Sequence, residues 1–556
     1  MYIFKKRAYC TAEDELDKIV SLLPLLLHAN RTKIYEKAIM KIIIRLPRVV
    51  FTHRLANGSL KPSRRRSPCQ KVNPREWELK SVDCSTSHNY EPAPRIEKVI
   101  KPKDNGNISI SNFAKSEESA SLLLKLAHTI SKETTKLDRC LKNDGAPELG
   151  FSIDSPLEFP IQSVEVEKSR ARIIRATEEL SALVMGPADS LRWMAWGHSN
   201  SLSLHAIYHY KIVKSFPIHE TATFAQISKR VGLSELNVRR FLRHAMTNRI
   251  FKEVEPGLVA HTAASRLLAE NSKMDDWVGF CVEEMWQAAA MTVSALERNP
   301  QADDPKQTGF CLSNSTTDVE TMFTTFEKSP FRSARMGGAM HSLTDGPGYE
   351  LTHLLSSPVW LALNKCQALV VDIGGSHGFV SIALASKFPQ LRFIVQDTPA
   401  TIASASPLSK DLSKRIQFQI HDFHTIQKVK GADVYFFRWI FHNHSDRLAI
   451  PMLRNLIPAL KNGARVIIND YCLPEPASMA TKSSCIDPIE EKTLRSMDLA
   501  MLSLLNSQER DETEYRMLFK SADKRFRFIG VHNSVGSSMA LIEAIWAGQD
   551  FCQVVE

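Results

Sequence analysis

The sequence predicts an α/β protein in which a doubly wound sheet follows a mainly helical region. After about residue 346, apolar runs of strand length alternate with stretches long enough for helices. From about residue 116 to 345, apolar residues recur at helical spacing, whereas the preceding residues are basic and show little periodicity. We therefore divide the 556 residues into an extension (1–115), a helical region (116–345) and an α/β region (346–556).

The extension holds the whole excess of positive charge. Residues 1–110 contain 22 Lys and Arg against 11 Asp and Glu, and the rest of the chain contains 49 against 50. We expect the extension to be largely disordered. Its run KPSRRRSPCQK (61–71) could be a nuclear-import or anion-binding patch, or the start of the coding sequence could be wrongly assigned. The balanced charge of the remainder argues against a body that binds nucleic acid.

The sequence lacks the patterns of an exported or membrane protein. No apolar run approaches the roughly 18–20 residues that cross a bilayer. Acidic residues follow the basic start of the chain, where a signal peptide has its apolar segment. The ten cysteines form no C-x-x-C pair, so neither a disulfide scaffold nor a cysteine zinc site is indicated. We expect a soluble, cytoplasmic protein without a membrane partner.

Within the helical region, residues 222–270 predict a helix-turn-helix with a wing. Two short helices meet at Gly232, Ser234 is placed to cap the second helix, and a hairpin is centred on Gly257. This pattern has two interpretations, a DNA reader and a structural module.

For the DNA reader, Arg239, Arg240 and Arg243 could reach phosphates or guanines from the second helix. The region has no net positive field, however, and apolar residues of the same helix predict a buried stripe with the arginines on the solvated side. We therefore expect no nucleic-acid partner.

Five apolar runs predict the strands of the α/β region, and four of the five are followed by stretches long enough for crossovers. The runs are ALVVDIGG, LRFIVQD, RIQFQIHD, DVYFFRWIF and ARVIINDY.

The first strand runs into a D-x-G-G-x-x-G turn formed with Gly374, Gly375 and Gly378. Glycines at a strand-to-helix turn let the backbone approach a ligand closely. Ser376 and Phe379 stand where the dinucleotide fingerprint has its second and third glycines, so an NAD or FAD site is disfavoured.

The next two strands end in residues suited to a nucleoside. Asp397 closes the second strand 19 residues beyond Gly378, where a carboxylate can accept both hydroxyls of a ribose. Asp422 and Phe423 follow the third strand and offer a carboxylate to an exocyclic amine and a ring to a purine face. Together these residues predict a nucleoside site across the carboxyl edge of the sheet.

With these motifs, residues 120–556 resemble the class I S-adenosylmethionine-dependent O-methyltransferases of the plant caffeate and flavonoid type and their fungal relatives that act on aromatic polyketides. The resemblance implies a Rossmann-like catalytic domain that binds S-adenosylmethionine and a winged-helix domain that forms a homodimer. It implies that Gly374 and Gly375 line the methionine end of the cofactor, that Asp397 holds the ribose, and that Asp422 and Phe423 meet the adenine. Gly378 belongs to the same turn and is also expected to bind the cofactor. Arg438 stands where the family carries a Lys or Arg near the cofactor.

Methyl transfer to a phenol requires removal of the phenolic proton. A phenol has a pKa near 10 and an imidazole near 6.5, yet a base that acts in the transition state can raise the rate by roughly 10² to 10⁴. The stretch WIFHNHSD (439–446) ends the fourth strand with two histidines.

The family motif H-x-W-x-D implies that His442 is the general base. The resemblance also implies that Asp470 and Glu509 are the carboxylates that flank it. An acceptor for the imidazole N–H fixes the tautomer and stabilises the imidazolium. His444 replaces the family tryptophan, and an imidazole there offers less stacking area and could carry a charge.

Apolar residues predict an acceptor pocket, with plain core as the alternative. They are the helix 280–297, Met322, Phe323, Phe326, Met336 and Met501.

We therefore predict a homodimeric S-adenosylmethionine-dependent O-methyltransferase that methylates a phenolic hydroxyl of a polyketide-like secondary metabolite. This mechanism requires no metal. The alternative is a catalytically inactive regulator with a methyltransferase fold.

Overall fold

The structure, a computed structural model, describes residues 121–161, 163–346, 348–474, 488–534 and 536–548. These residues belong to one unit, residues 106–556. The predicted extension (1–115) and its basic run (61–71) lie outside the described residues.

The first part of the described chain is helical. Its helices are α1 (Leu122–Asn143), α2 (Val164–Ala195), α3 (His198–His209), α4 (Phe224–Val231), α5 (Glu235–Thr247), α6 (Ala263–Glu270), α7 (Ser272–Phe280), α8 (Trp286–Arg298), α9 (Gly309–Ser313), α10 (Met322–Glu327) and α11 (Pro330–Thr344). A π-helical segment, Cys281–Met285, joins α7 to α8. Helix α2 is broken at Gly186, which has φ 71° and precedes a proline.

Helices α4 and α5 form the predicted helix-turn-helix, and a small sheet accompanies them. Gly232 ends α4 in the left-handed conformation, and the Ser234 hydroxyl caps α5. The strands are β1 (Thr221–Thr223), β2 (Lys252–Glu255) and β3 (Leu258–Ala260), in the antiparallel order β1-β3-β2. Arg243 forms two hydrogen bonds with Glu253, and Arg239 pairs with Glu235. A dimerisation role for this motif stays a prediction.

A seven-stranded sheet forms the second part and contains all five predicted strands. They are β4 (Leu369–Ile373), β5 (Arg392–Asp397), β6 (Ile416–Ile420), β7 (Val434–Arg438) and β8 (Arg465–Asp470), followed by β9 (Phe526–Asn533) and β10 (Ala540–Trp546). The order is β6-β5-β4-β7-β8-β10-β9, with β4 to β8 parallel and β10 antiparallel to both of its neighbours. The carboxyl ends of the five parallel strands therefore lie along one edge.

Helices cover both faces of this sheet. They are α12 (Leu351–Ser356), α13 (Pro358–Lys365), α14 (Phe379–Lys387), α15 (Pro399–Ala403), α16 (Asp446–Leu456), α17 (Pro488–Leu505) and α18 (Glu512–Ala522). One buried cluster joins α12, α13 and α14 to one face, and another joins α16 and α18 to the other face. The α/β architecture predicted from the sequence is confirmed.

Helix α17 leaves the sheet and packs in the helical part. Its residues Met501 and Leu504 belong to the apolar cluster of Phe280, Phe310 and Phe326. One element of the second part therefore packs within the first part, and the division at residue 345 stays a prediction. Among the described helices, none is long and apolar enough to cross a membrane.

We expect Trp360→Ala to lower the free energy of unfolding by about 3–5 kcal/mol, the range for a large aromatic side chain removed from a core. Trp360 is fully buried and meets Phe436 edge to face at 5.6 Å. Chemical denaturation followed by circular dichroism measures the change. The control Leu361→Ala removes an exposed neighbour on the same helix and should change stability by less than about 0.5 kcal/mol. Equal effects of the two substitutions would contradict the prediction.

Candidate active site

The turn after β4 leaves no room for side chains at its glycines. Gly374 and Gly378 have φ of 71° and 76°, conformations that favour glycine. A Cβ on Gly374 would lie 2.6 Å from Ile440 Cδ1, and one on Gly375 would lie 2.6 Å from the Asp372 carboxyl carbon. The backbone N–H groups of Gly374 and Gly375 both donate to the carbonyl of Gln396. The turn is thereby fixed to the end of β5.

Asp397 lies beside this turn, at the end of β5. Its carboxylate accepts the backbone N–H of Ser376 at 2.9 Å and that of Thr398 at 2.8 Å. A carboxylate has about four lone-pair sites, so two bonds leave acceptor capacity for hydroxyl groups of a ligand. The second strand end therefore meets the glycine turn as the sequence predicted.

Phe423 reaches the other side of the glycine turn. Its ring lies 3.9 Å from the position of a Cβ on Gly374. The ring also contacts His424 and His444, at centroid distances of 4.7 and 5.7 Å. Asp422 is exposed beside it and accepts the backbone N–H of His424. Phe423 thus borders the turn, with two imidazole rings against it and the Asp422 carboxylate next to it in the chain.

His444 is neutral at neutral pH. Burial lowers its pKa to about 4, because desolvation disfavours the imidazolium. Its Nδ1–H donates to the carbonyl of Ile440 at 2.8 Å. The charge that the sequence allowed at this position is therefore absent near pH 7.

Arg438 ends β7 and is held mainly by the sheet. Its guanidinium donates to Asn469. Burial lowers the pKa of Arg438 to about 10, although the negative charges of Asp470 and Asp372 oppose this shift. Its Nε has no hydrogen-bond acceptor among the described residues. The structure therefore places Arg438 between two carboxylates at the strand ends.

His442 and Glu509 form a buried pair. His442 lies in the short turn Phe441–Asn443 after β7, and its Nδ1 is 3.0 Å from Glu509 Oε1. An ionised carboxylate only accepts hydrogen bonds, so Nδ1 carries the proton and Nε2 keeps a lone pair. Both side chains are almost fully buried. This arrangement suits a general base whose tautomer is set by its partner.

Asp470 supports the same turn in another way. Its Oδ2 accepts the backbone N–H of His442 at 3.1 Å, and its Oδ1 has no hydrogen-bond partner among the described residues. The two carboxylates implied by the resemblance thus lie on either side of His442, but Glu509 binds the ring and Asp470 binds the backbone.

The charges around His442 raise its pKa above the ordinary value of 6.5. Burial alone lowers the pKa, and the hydrogen bond to Glu509 with the charges of Glu509 and Asp470 outweighs this effect. Burial raises the pKa of Glu509, although His442 opposes this shift. Because the pKa values of both His442 and Glu509 are raised, the pair keeps a bound proton to higher pH than the two isolated side chains would.

Arg510 is a site residue that sequence reasoning missed. It is fully buried, and its guanidinium donates to the carbonyls of Phe441 and His444 at 2.9 and 2.7 Å and to the carboxylate of Asp446. These three acceptors lie around His442 in the chain. The available signal in the sequence was an arginine directly after Glu509, but neither its burial nor its hydrogen-bond acceptors could be predicted from the neighbouring residues.

An apolar cluster approaches His442 from the helical part. Trp439 lies 4.9 Å from the His442 ring and 4.8 Å from the Tyr471 ring. Trp439 and Met497 both pack against the small buried cluster of Tyr471, Leu473 and Leu494. Met497 also packs against the cluster of Phe280, Phe310, Met322, Phe326, Met501 and Leu504. Met336 packs on this cluster, whereas Phe323 is more exposed. Most of the predicted acceptor-pocket residues therefore lie together on the side of Trp439.

These residues fit a cofactor that carries a nucleoside. The glycine turn allows close approach of a ligand, Asp397 retains acceptor capacity for a ribose, and Phe423 offers a flat face beside both.

Comparisons with known proteins agree with this geometry. A family model described as an O-methyltransferase domain matches residues 354–525. The chain is 43% identical over 435 residues to chlorophenol O-methyltransferase of Trichoderma longibrachiatum, covering 78% of this chain and 92% of that protein. It is 36% identical to O-methyltransferase pyvH of Aspergillus violaceofuscus, covering 77% of this chain and all of that protein.

The fold is similar to that of OxaC, whose crystal structure is in complex with SAH and oxaline. The TM-score is 0.55 at 21% identity, covering 76% of this chain and all of OxaC. The chain therefore belongs to the S-adenosylmethionine-dependent O-methyltransferases, groups with their fungal members, and uses S-adenosylmethionine as its cofactor.

Proposed function

We propose that the protein methylates a phenolic hydroxyl of an aromatic, polyketide-like small molecule, with His442 as the general base. The observation that carries this proposal is the buried His442–Glu509 hydrogen bond of 3.0 Å, which leaves Nε2 as the proton acceptor. When bound, S-adenosylmethionine supplies an electrophilic methyl group on a sulfonium. His442 takes the phenolic proton as the oxygen becomes a nucleophile, and Glu509 stabilises the resulting imidazolium.

Seven residues are proposed to hold the cofactor. Gly374, Gly375 and Gly378 make the turn on which its methionine end lies, Asp397 accepts the ribose hydroxyls, and Asp422 and Phe423 meet the adenine. Arg438 supplies positive charge at the adjacent strand ends. The support is the common position of these residues at the carboxyl edge of the sheet, the site of ligands in open α/β folds.

The acceptor is proposed to be flat and apolar around its hydroxyl. Trp439 beside His442, and the methionine- and phenylalanine-rich cluster reached through Met497, suit an aromatic ring. The name of the Trichoderma relative, chlorophenol O-methyltransferase, is in keeping with a phenolic acceptor. The inactive-regulator alternative is disfavoured because burying the carboxylates of Glu509 and Asp470 costs folding free energy, a cost that catalysis explains.

A homodimer is proposed to form through the helical part. The second half of α2 exposes several large apolar side chains on both sides of the break at Gly186, among them Val184 at 72%, Trp193 at 63% and Met194 at 75% exposure. Exposed patches of this kind mark interaction surfaces. A second copy of the chain is the proposed partner, with the winged-helix region as part of the dimerisation domain.

We expect His442→Ala to lower kcat/KM for a chlorophenol acceptor by about 10² to 10⁴, the usual contribution of a general base. Binding of S-adenosylmethionine, measured by calorimetry, should remain. The control His341→Ala removes an exposed histidine of α11 that pairs with a carboxylate and should leave the rate unchanged. A His442→Ala enzyme with the wild-type rate would exclude this histidine as the base.

We expect Glu509→Gln to move the acid limb of the pH–rate profile to lower pH. The neutral imidazole is the base, so activity falls as pH drops through the pKa of His442. In the wild type this pKa is raised above 6.5, and the fall begins above that pH. Without the Glu509 charge, burial lowers the pKa of His442, and kcat should fall because the tautomer is no longer fixed. The measurement is kcat/KM against pH with an acceptor whose own phenol ionises above the range, and an unmoved limb would contradict the assignment.

We expect the wild-type chain to elute with about twice the monomer mass of 62.6 kDa in size-exclusion chromatography with light scattering. Trp193→Glu places a charge in the proposed interface and should shift the population to monomer. Leu361→Glu, at an exposed site on α13, is the matched control and should remain dimeric. A monomeric wild type at micromolar concentration would refute the homodimer.

A further inference from the structure

A cluster of metal-binding side chains lies in the helical part, on other elements than His442, Asp470 and Glu509. His205 and His209 are one turn apart on α3, and Glu283 comes from the π-helical segment Cys281–Met285. Glu283 Oε1 is 3.2 Å from His205 Nε2 and 3.0 Å from His209 Nδ1. The three candidate donor atoms all lie within 4.8 Å of one another.

These distances fit a tetrahedral metal site. Zinc binds histidine nitrogen and carboxylate oxygen at about 2.0–2.2 Å, so the donors of a tetrahedral site stand about 3.3–3.5 Å apart. The separations from Glu283 Oε1 are already close to this value, and modest adjustments would admit an ion. Two histidines four residues apart on one helix with a third ligand from elsewhere are a recurrent zinc-binding pattern.

The π-helical segment explains how Glu283 reaches the histidines. Helices α7 and α8 run through this segment without a break, with helical dihedral angles at both joins. The neighbouring Glu284 pairs with Arg332 and Arg335 of α11. Glu283 is thus free to face α3, and π-helical turns of this kind occur frequently at functional sites.

The surroundings of the cluster are compatible with a cation. Arg335 is a positive charge that acts on Glu283, and it is itself paired with Glu284. Trp286 meets His205 edge to face at 5.7 Å and partly covers it. The side chains of His205 and Glu283 keep 24% and 23% exposure, so an ion could enter from solvent and a water could complete its coordination.

We propose that His205, His209 and Glu283 bind a divalent transition-metal ion of the zinc type, which ties α3 to the α7–α8 helix. The site has three protein ligands and an open fourth position for water. It lies on other elements than the proposed base, so its effect is on stability and not on proton transfer.

The test uses the full chain, stripped of metal with a chelator and titrated with Zn²⁺ by calorimetry. We expect one equivalent to bind in the wild type. His209→Ala and Glu283→Gln each remove a ligand and should weaken binding by at least about 100-fold, more than the 10- to 100-fold cost of losing an outer-shell partner. The control His341→Ala changes an exposed histidine paired with one carboxylate and should bind as the wild type does.

Thermal unfolding provides a second readout. Zn²⁺ should raise the melting temperature of the wild type and of His341→Ala, because a ligand that binds only the folded state stabilises it, and should not raise that of Glu283→Gln. If His209→Ala fails to fold, the nearly isosteric Glu283→Gln decides. No zinc binding by the wild type, or equal binding by wild type and ligand variants, would overturn the proposal and leave a plain His–Glu–His hydrogen-bond cluster.

Discussion

The turn that carries His442 depends on one buried charge, the guanidinium of Arg510. A cation without water or acceptors costs several kcal/mol, so Arg510 must keep the carbonyls of Phe441 and His444 and the carboxylate of Asp446 as its acceptors. These acceptors span the turn, and their positions direct the backbone N–H of His442 at Asp470. The position of the proposed base therefore depends on satisfying the buried charge of Arg510, which also acts against the rise in the pKa of His442.

The same turn connects the two halves of the active site. On one side His444 contacts Phe423, which borders the glycine turn and the proposed adenine position. On the other side Trp439 contacts Tyr471. Met497 packs against the small cluster that contains Tyr471 and also against the apolar cluster of the helical part. A shift of the turn would alter both sides together. In the proposed function, this arrangement would bring the acceptor hydroxyl, the base and the methyl donor into one region, where orientation contributes much of the rate.

The fold was predictable where the sequence pattern was strong. The central strands β4, β7 and β8 appear as apolar runs because they are buried on both faces, whereas the edge strand β6 is only partly buried. Strands β9 and β10 were not predicted. In β10, Glu543 interrupts the apolar run, and only the packed chain shows that Arg465 from β8 and His532 from β9 accompany this buried carboxylate. Helix α17 follows the fifth strand in sequence but packs among α8 and α9. Its apolar residues Met501 and Leu504 are buried in the cluster that those helices form.

The candidate site likewise has residues that the sequence predicts and contacts that only the folded chain determines. The glycine turn, Asp397 and the histidine-bearing strand end could be read along the chain, since each is a short pattern at the end of an apolar run. The sequence does not show which atom of His442 forms a hydrogen bond with each carboxylate. His442 meets Asp470 across 28 residues and Glu509 across 67 residues, and Glu283 meets His205 across 78. Partners so far apart in sequence are chosen by how strand ends and helices pack, and local periodicity carries no information on that packing.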